Sequence, residues 1–154
     1  MVLTVQESVM WQTRALELNN REFWNWIKAC ERVAWAINHQ FNTIVVGQVD
    51  LFDQLVSPKG YTPHQYNDRL SSQQLARCVY LNHLARYCQK HDLKFYLQAK
   101  EFSFPADLLV AHPQLIDKDA GASFNTDFWC RYLSDKMTLL CQRMTAIYGM
   151  TRCL

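Results

Sequence analysis

Hydrophobic positions along the chain switch repeatedly between a three-and-four spacing and short unbroken runs, so helices and strands are expected to alternate. Residues 9–14 read as a first strand, although Ala15, Leu16 and Glu17 just beyond are good helix formers and leave a helix start open there. Asn19 and Asn20 supply helix caps, after which Phe23, Ile27, Cys30, Ala34 and Ile37 mark one face of a helix of about five turns. The β-branched run TIVVGQV at 43–49 follows as a strand covered on both sides, in which Gly47 allows a neighbouring group to approach closely.

Asp53, Pro58, Gly60 and Pro63 keep residues 50–70 irregular. Ser71 or Ser72 then caps a helix whose apolar face is Leu75, Cys78, Leu81, Ala85 and Cys88, with Arg77, Arg86 and Lys90 turned to water. Phe95, Tyr96 and Leu97 form the next strand, and Gln98, Lys100 and Glu101 stand at its carboxyl end. A second long connection, 102–123, contains Pro105, Pro113 and Gly121 with a helical turn at 106–110. Asn125 or Thr126 caps a last helix that buries Trp129, Leu133, Met137, Leu140 and Met144, and a strand begins at Tyr148.

The expected fold is therefore α/β, a single domain over residues 1–154 in which parallel strands alternate with helices. Helix-to-strand connections are a few residues long, whereas two strand-to-helix connections run to about 20, well beyond the usual length. In a parallel sheet these enlarge the rim at the strand carboxyl ends, where α/β folds place their ligands. Their aromatic residues Phe52, Tyr61, Tyr66, Phe102, Phe104 and Phe124 suit such a surface. A doubly wound nucleotide-binding sheet would need a glycine-rich turn for phosphates, and neither G-x-G-x-x-G nor G-x-x-x-x-G-K-[ST] occurs. That favours a TIM-type (β/α) barrel arrangement, with about four of its eight strands, roughly half, in this chain.

Composition narrows the chemistry. A net charge of +2 with both signs dispersed gives no reason to expect nucleic acid or an anionic membrane as partner. No apolar stretch approaches the roughly 20 residues needed to span a bilayer, and the start shows no secretory pattern, so the expected location is the cytoplasm. The six cysteines form no C-x-x-C pair and are expected to be buried reduced thiols, while the five histidines lack metal-ligand spacing. No metal and no cofactor are expected.

The order CERVAWAINHQFNTIVVG, LARYCQKHDLKFYLQAKEFSFP, DFWCRYLSDKMTLLCQRMTAIYG resembles the amino-terminal part of glycoside hydrolase barrels, particularly the α-glucuronidase-like ones. The shared features are an asparagine turn into a strand at Asn42 to Val46 and a K-H-x-L-K turn into a strand with polar groups at its tip, from Lys90 to Glu101. The resemblance implies a carbohydrate-active barrel portion. It also implies that the acid/base carboxylate and its partner, which follow the fourth strand and lie in the second half, fall outside this chain, which is expected to be inactive by itself.

The rim residues that can contact a sugar or sugar acid are Gln48, Asp50, Gln98, Lys100, Glu101 and Phe102. Glutamine amides donate to and accept from hydroxyls, and a lysine ammonium can orient a carboxylate. Glu101 is the one candidate for direct catalysis, set against an ordinary ion pair, and Asp50 and Asp53 have turn-stabilising hydrogen bonds as their alternative. The other functional expectation is a noncatalytic α/β interaction module that forms a homodimer or completes its sheet with another chain, such as the remainder of the barrel.

Overall fold

A computed structural model describes residues 12–61, 68–100, 106–113 and 126–152. Its elements follow in the order β1 (Ala15–Leu18), α1 (Asn20–Phe23), α2 (Trp26–Asn38), β2 (Thr43–Gln48), α3 (Leu51–Leu55), α4 (Asp68–Gln89), β3 (Lys94–Ala99), α5 (Ala106–Ala111), α6 (Thr126–Arg143) and β4 (Gly149–Arg152). The four strands form one sheet in the order β1-β2-β3-β4, and every pair is parallel. The fold is α/β, and strand order does not reverse anywhere among these four.

Sheet register sorts the side chains into two sets. Leu18, Val46, Leu97 and Met150 are aligned across the sheet, and Leu16, Ile44 and Phe95 are aligned one step earlier. These residues join Phe23 of α1, Ala29, Val33 and Ala36 of α2, Leu51 and Leu55 of α3, Cys78, Leu81 and Ala85 of α4, and Leu140 of α6 in the main core. The alternate residues, Glu17, Val45, Tyr96 and Gln98, lie on the opposite face and take no part in that core. β2, expected to be covered on both sides, meets the apolar core on one.

The first strand lies at Ala15–Leu18 and not at 9–14, of which residues 9–11 fall outside the described residues. Leu16 and Leu18 reach the core while Glu17 points away, and this two-residue alternation outweighs the helix propensity of the segment. The expected five-turn helix is two helices. Asn19 forms a capping box with Glu22 at the start of α1, and Asn25 caps α2 afresh by accepting from the Lys28 amide at 3.1 Å. The break turns the helix, so Ala29, Val33 and Ala36 are buried while Ile27 and Ala34 of the expected face are exposed.

α2 and α4 end in the same way. Gln40 and Asp92 adopt left-handed backbone (φ 59° and 58°), and the amides that follow, Phe41 and Leu93, donate to the carbonyls of Ala36 and Cys88 at 3.0 and 3.1 Å. Each turn delivers the chain to a strand. Asn42 then fastens the strand beginnings together: its side chain accepts from the Arg14 amide and donates to the Gln12 carbonyl, and its own carbonyl accepts from the Lys94 amide.

The span 50–70, expected to be irregular, contains α3, and α4 begins at Asp68 rather than beside Ser71. Leu51, Phe52, Leu55 and Val56 are buried, and burying this apolar cluster is what makes a single helical turn worth forming. Leu75, expected on the buried face of α4, is 55 % exposed, and Gln74 and Asn82 are buried instead. α5 and α6 lie where the sequence predicts, though Leu133 and Met137 are only half-buried and Lys136 is fully buried between them. A satellite cluster joins Leu108 of α5 to Trp129 and Tyr132 of α6, with Tyr61 packed against it. No helix among the described residues is long and apolar enough to cross a membrane.

Candidate functional site

The carboxyl ends of β2 and β3 carry the polar residues that the sequence singles out, and the sheet divides them between its faces. Gln48 aligns with Ala99 on the core side, whereas Gln98 aligns with Gly47 on the other. They do not form one cluster.

On the core side, the Trp24 indole N–H donates to Gln48 Oε1 at 3.1 Å, and Gln48 Nε2 donates to Asp50 Oδ1 at 3.3 Å. Asp50 adopts left-handed backbone (φ 59°), and its carboxylate also accepts from Gln54 Nε2 at 3.2 and 3.3 Å. This carboxylate braces the turn that leads into α3. Asp53 is ion-paired with the buried Lys136, which ties α3 to α6. Both aspartates therefore have structural partners.

On the opposite face Lys100 and Glu17 form an ion pair, with their side chains 37 % and 46 % exposed. Glu17 lies on β1 and Lys100 just past β3, so the pair must reach across β2. Gly47 makes that possible: a Cβ there would sit 3.0 Å from Lys100 Cε and 2.8 Å from Gln98 Oε1. A second glycine works alike, since a Cβ on Gly149 would sit 2.9 Å from Cε1 of the Tyr96 ring. Long side chains of β3 thus lie over glycines of β2 and β4.

Glu101 and Phe102 lie outside the described residues, as do Tyr66, Phe104 and Phe124. Phe52, expected on the rim, is 6 % exposed in the core. The described ends of the two long connections do meet: His112 Nε2 lies 2.7 Å from the Tyr61 carbonyl oxygen, and the Tyr61 hydroxyl donates to Asp135 Oδ2 at 2.6 Å. Burial, and secondarily Asp135, push the Tyr61 phenol up to about 12. A cleft of ≈ 630 Å³ adjoins this contact, lined by Lys59, Tyr61, Phe128 and Arg131 among others. A narrower one of ≈ 270 Å³ lies between α4 and α6 beside Gln74 and Arg143. Neither is lined by Lys100 or Glu17.

Cysteine nucleophiles have no support among the thiols whose protonation is perturbed. Burial raises Cys30, Cys78 and Cys88, the last to about 12, and a thiol held protonated is a poor nucleophile. All five described cysteines are free, but Cys130 and Cys141 are exposed, contrary to the expectation of buried thiols. Among the described residues no group of three or more His, Cys, Asp or Glu is placed to hold a metal ion.

Sequence reasoning missed Glu17 and Trp24. The Ala-Leu-Glu-Leu alternation was the available signal for Glu17, because it puts the glutamate on the face away from both leucines. For Trp24 there was none, since its partner Gln48 is 24 residues away. Comparison with protein-family models, curated proteins and solved structures gave no match.

Proposed function

We propose that this chain is part of a TIM-type (β/α) barrel of the glycoside hydrolase kind, binding a sugar or sugar acid at the strand carboxyl ends without a complete catalytic pair. The observation that carries this reading is the face of the sheet opposite the helices, where Tyr96, Gln98 and Lys100 of β3 lie over Gly149 and Gly47 of the flanking strands. Alternating large and small residues is how a small barrel fills its interior, with side chains of neighbouring strands taking turns at each level. All-parallel sheets are normally covered on both faces, and curling into a barrel covers the second.

At the tip of that face stand one ammonium, one carboxylate and one amide. Such a set can orient a carboxylate and hydroxyls, whereas glycoside hydrolysis requires two carboxyl groups on either side of the bond. Calorimetric titration with a panel of uronic acids and neutral sugars tests the reading. Binding that Lys100→Gln weakens supports it, and a panel with no binding at all rejects it.

A second reading, a noncatalytic module that completes its sheet with another chain, draws on the edges. Among the described residues β1 and β4 each pair with one neighbour, and Tyr148 beside β4 is 59 % exposed. Light scattering tests the homodimer form of this second reading: a monomer over a wide concentration range removes self-association.

A further inference from the structure

The ion pair at the tip of the sheet has a consequence for what the site accepts. Lys100 is the lysine that reaches over Gly47, and Glu17 is the group it meets there. Both are half-exposed, so the contact is open to solvent and to a small anion. Glu17 belongs to β1 and aligns with Val45 and, beyond it, Tyr96, which places its carboxylate on the same face as the Gln98 amide. An ammonium and a carboxylate therefore meet in partial contact with solvent over the backbone of β2, with the Gln98 side chain beside them on the same face.

We infer that Glu17 is a specificity-determining residue: it occupies Lys100 as an internal counter-ion, and a ligand carboxylate binds by taking its place. The inference rests on the proposed sugar-acid site and adds how that site is held when empty. A lysine ammonium is a compact charge with three donors, and one carboxylate exchanges readily for another on it. Partly exposed ion pairs are weak, so the exchange should cost only a few-fold in affinity, and neutral sugars, which gain nothing from Lys100, should not force it. The Lys100 stem lies directly over the backbone at Gly47, where a Cβ would crowd its Cε.

The test is Glu17→Gln, which keeps the shape of the side chain and removes its charge. Two readouts are taken on the folded protein: trace acetylation of Lys100 with acetic anhydride, followed by mass spectrometry, and calorimetric titration with glucuronate and with glucose. The expected result is faster Lys100 labelling, glucuronate affinity raised by about two- to five-fold, and unchanged glucose affinity. Lys100→Gln should abolish any preference for glucuronate over glucose. Unchanged labelling in Glu17→Gln overturns the inference even without any sugar present. So does faster labelling with no gain in glucuronate binding. If the wild type binds both sugars and the variant behaves identically, the inference falls while the sugar-binding site stands; if no variant binds any sugar, that site falls too.

Discussion

The face of the sheet that carries Leu18, Ile44, Phe95 and Leu97 is sealed by helices, and each of these residues is fully buried. The face that carries Glu17, Gly47, Gln98 and Lys100 has instead an ion pair, an amide and two glycines overlaid by longer side chains. Neighbouring residues on the same strand thus live under different rules. On the first face the hydrophobic effect and close packing set the stability, and on the second an ion pair in partial contact with water adds little to it.

The largest test of that contrast is Phe95→Ala against Tyr96→Ala. Emptying the fully buried Phe95 site should cost about 3–5 kcal/mol, whereas its half-buried neighbour should cost about 1 kcal/mol, read from urea unfolding midpoints at equal slope. Equal losses would mean that both faces are packed alike. The two ion pairs make the next comparison. Lys136→Ala leaves Asp53 without its buried partner and should cost about 3 kcal/mol, while Lys100→Ala should change stability by less than about 1 kcal/mol.

The glycines sharpen the picture at smaller scale. Gly149→Ala presses on the ring of Tyr96, which is packed against Tyr148 at 5.3 Å, and should cost about 1–3 kcal/mol. Gly47→Ala presses on the ends of two flexible side chains, so its stability loss should be smaller, yet it should displace Lys100 from Glu17 and speed Lys100 labelling. The same unfolding series measures both. Finally, Cys88 is held protonated by burial, with its ordinary value of 9.0 raised to about 12. Its contribution is fully present below pH 9 and is lost as pH rises toward 12, because the unfolded chain releases that proton first. Stability should fall by about 1.4 kcal/mol per pH unit in that window from this one group, and Cys88→Ala should flatten the slope.

Much of the fold was legible from periodicity. The runs at 43–49 and around Phe95 gave β2 and β3, and the stripe Cys78, Leu81, Ala85 and Cys88 gave the buried face of α4. Errors arose where local signals competed. Ala15 and Glu17 favour helix in isolation but pair with Thr43 and Val45 in a sheet, and α1 and α2 share one apolar stripe that a second asparagine cap divides. Of the candidate site, Lys100 and Gln98 were legible as strand-tip polar groups, and Gly47 as a point of close approach. Gln48 and Asp50 were legible too, but register placed Gln48 on the core side and left Asp50 bracing the turn into α3.

The sequence by itself determined that strands and helices alternate, and which residues of each strand share a face, because a two-residue or 3.6-residue period is a local property. Only the tertiary structure decided that β1 lies beside β2 in the register that brings Glu17 within reach of Lys100, 83 positions later, across a glycine. Such pairings follow from how strands dock and helices close over them. No spacing within a single segment encodes that docking.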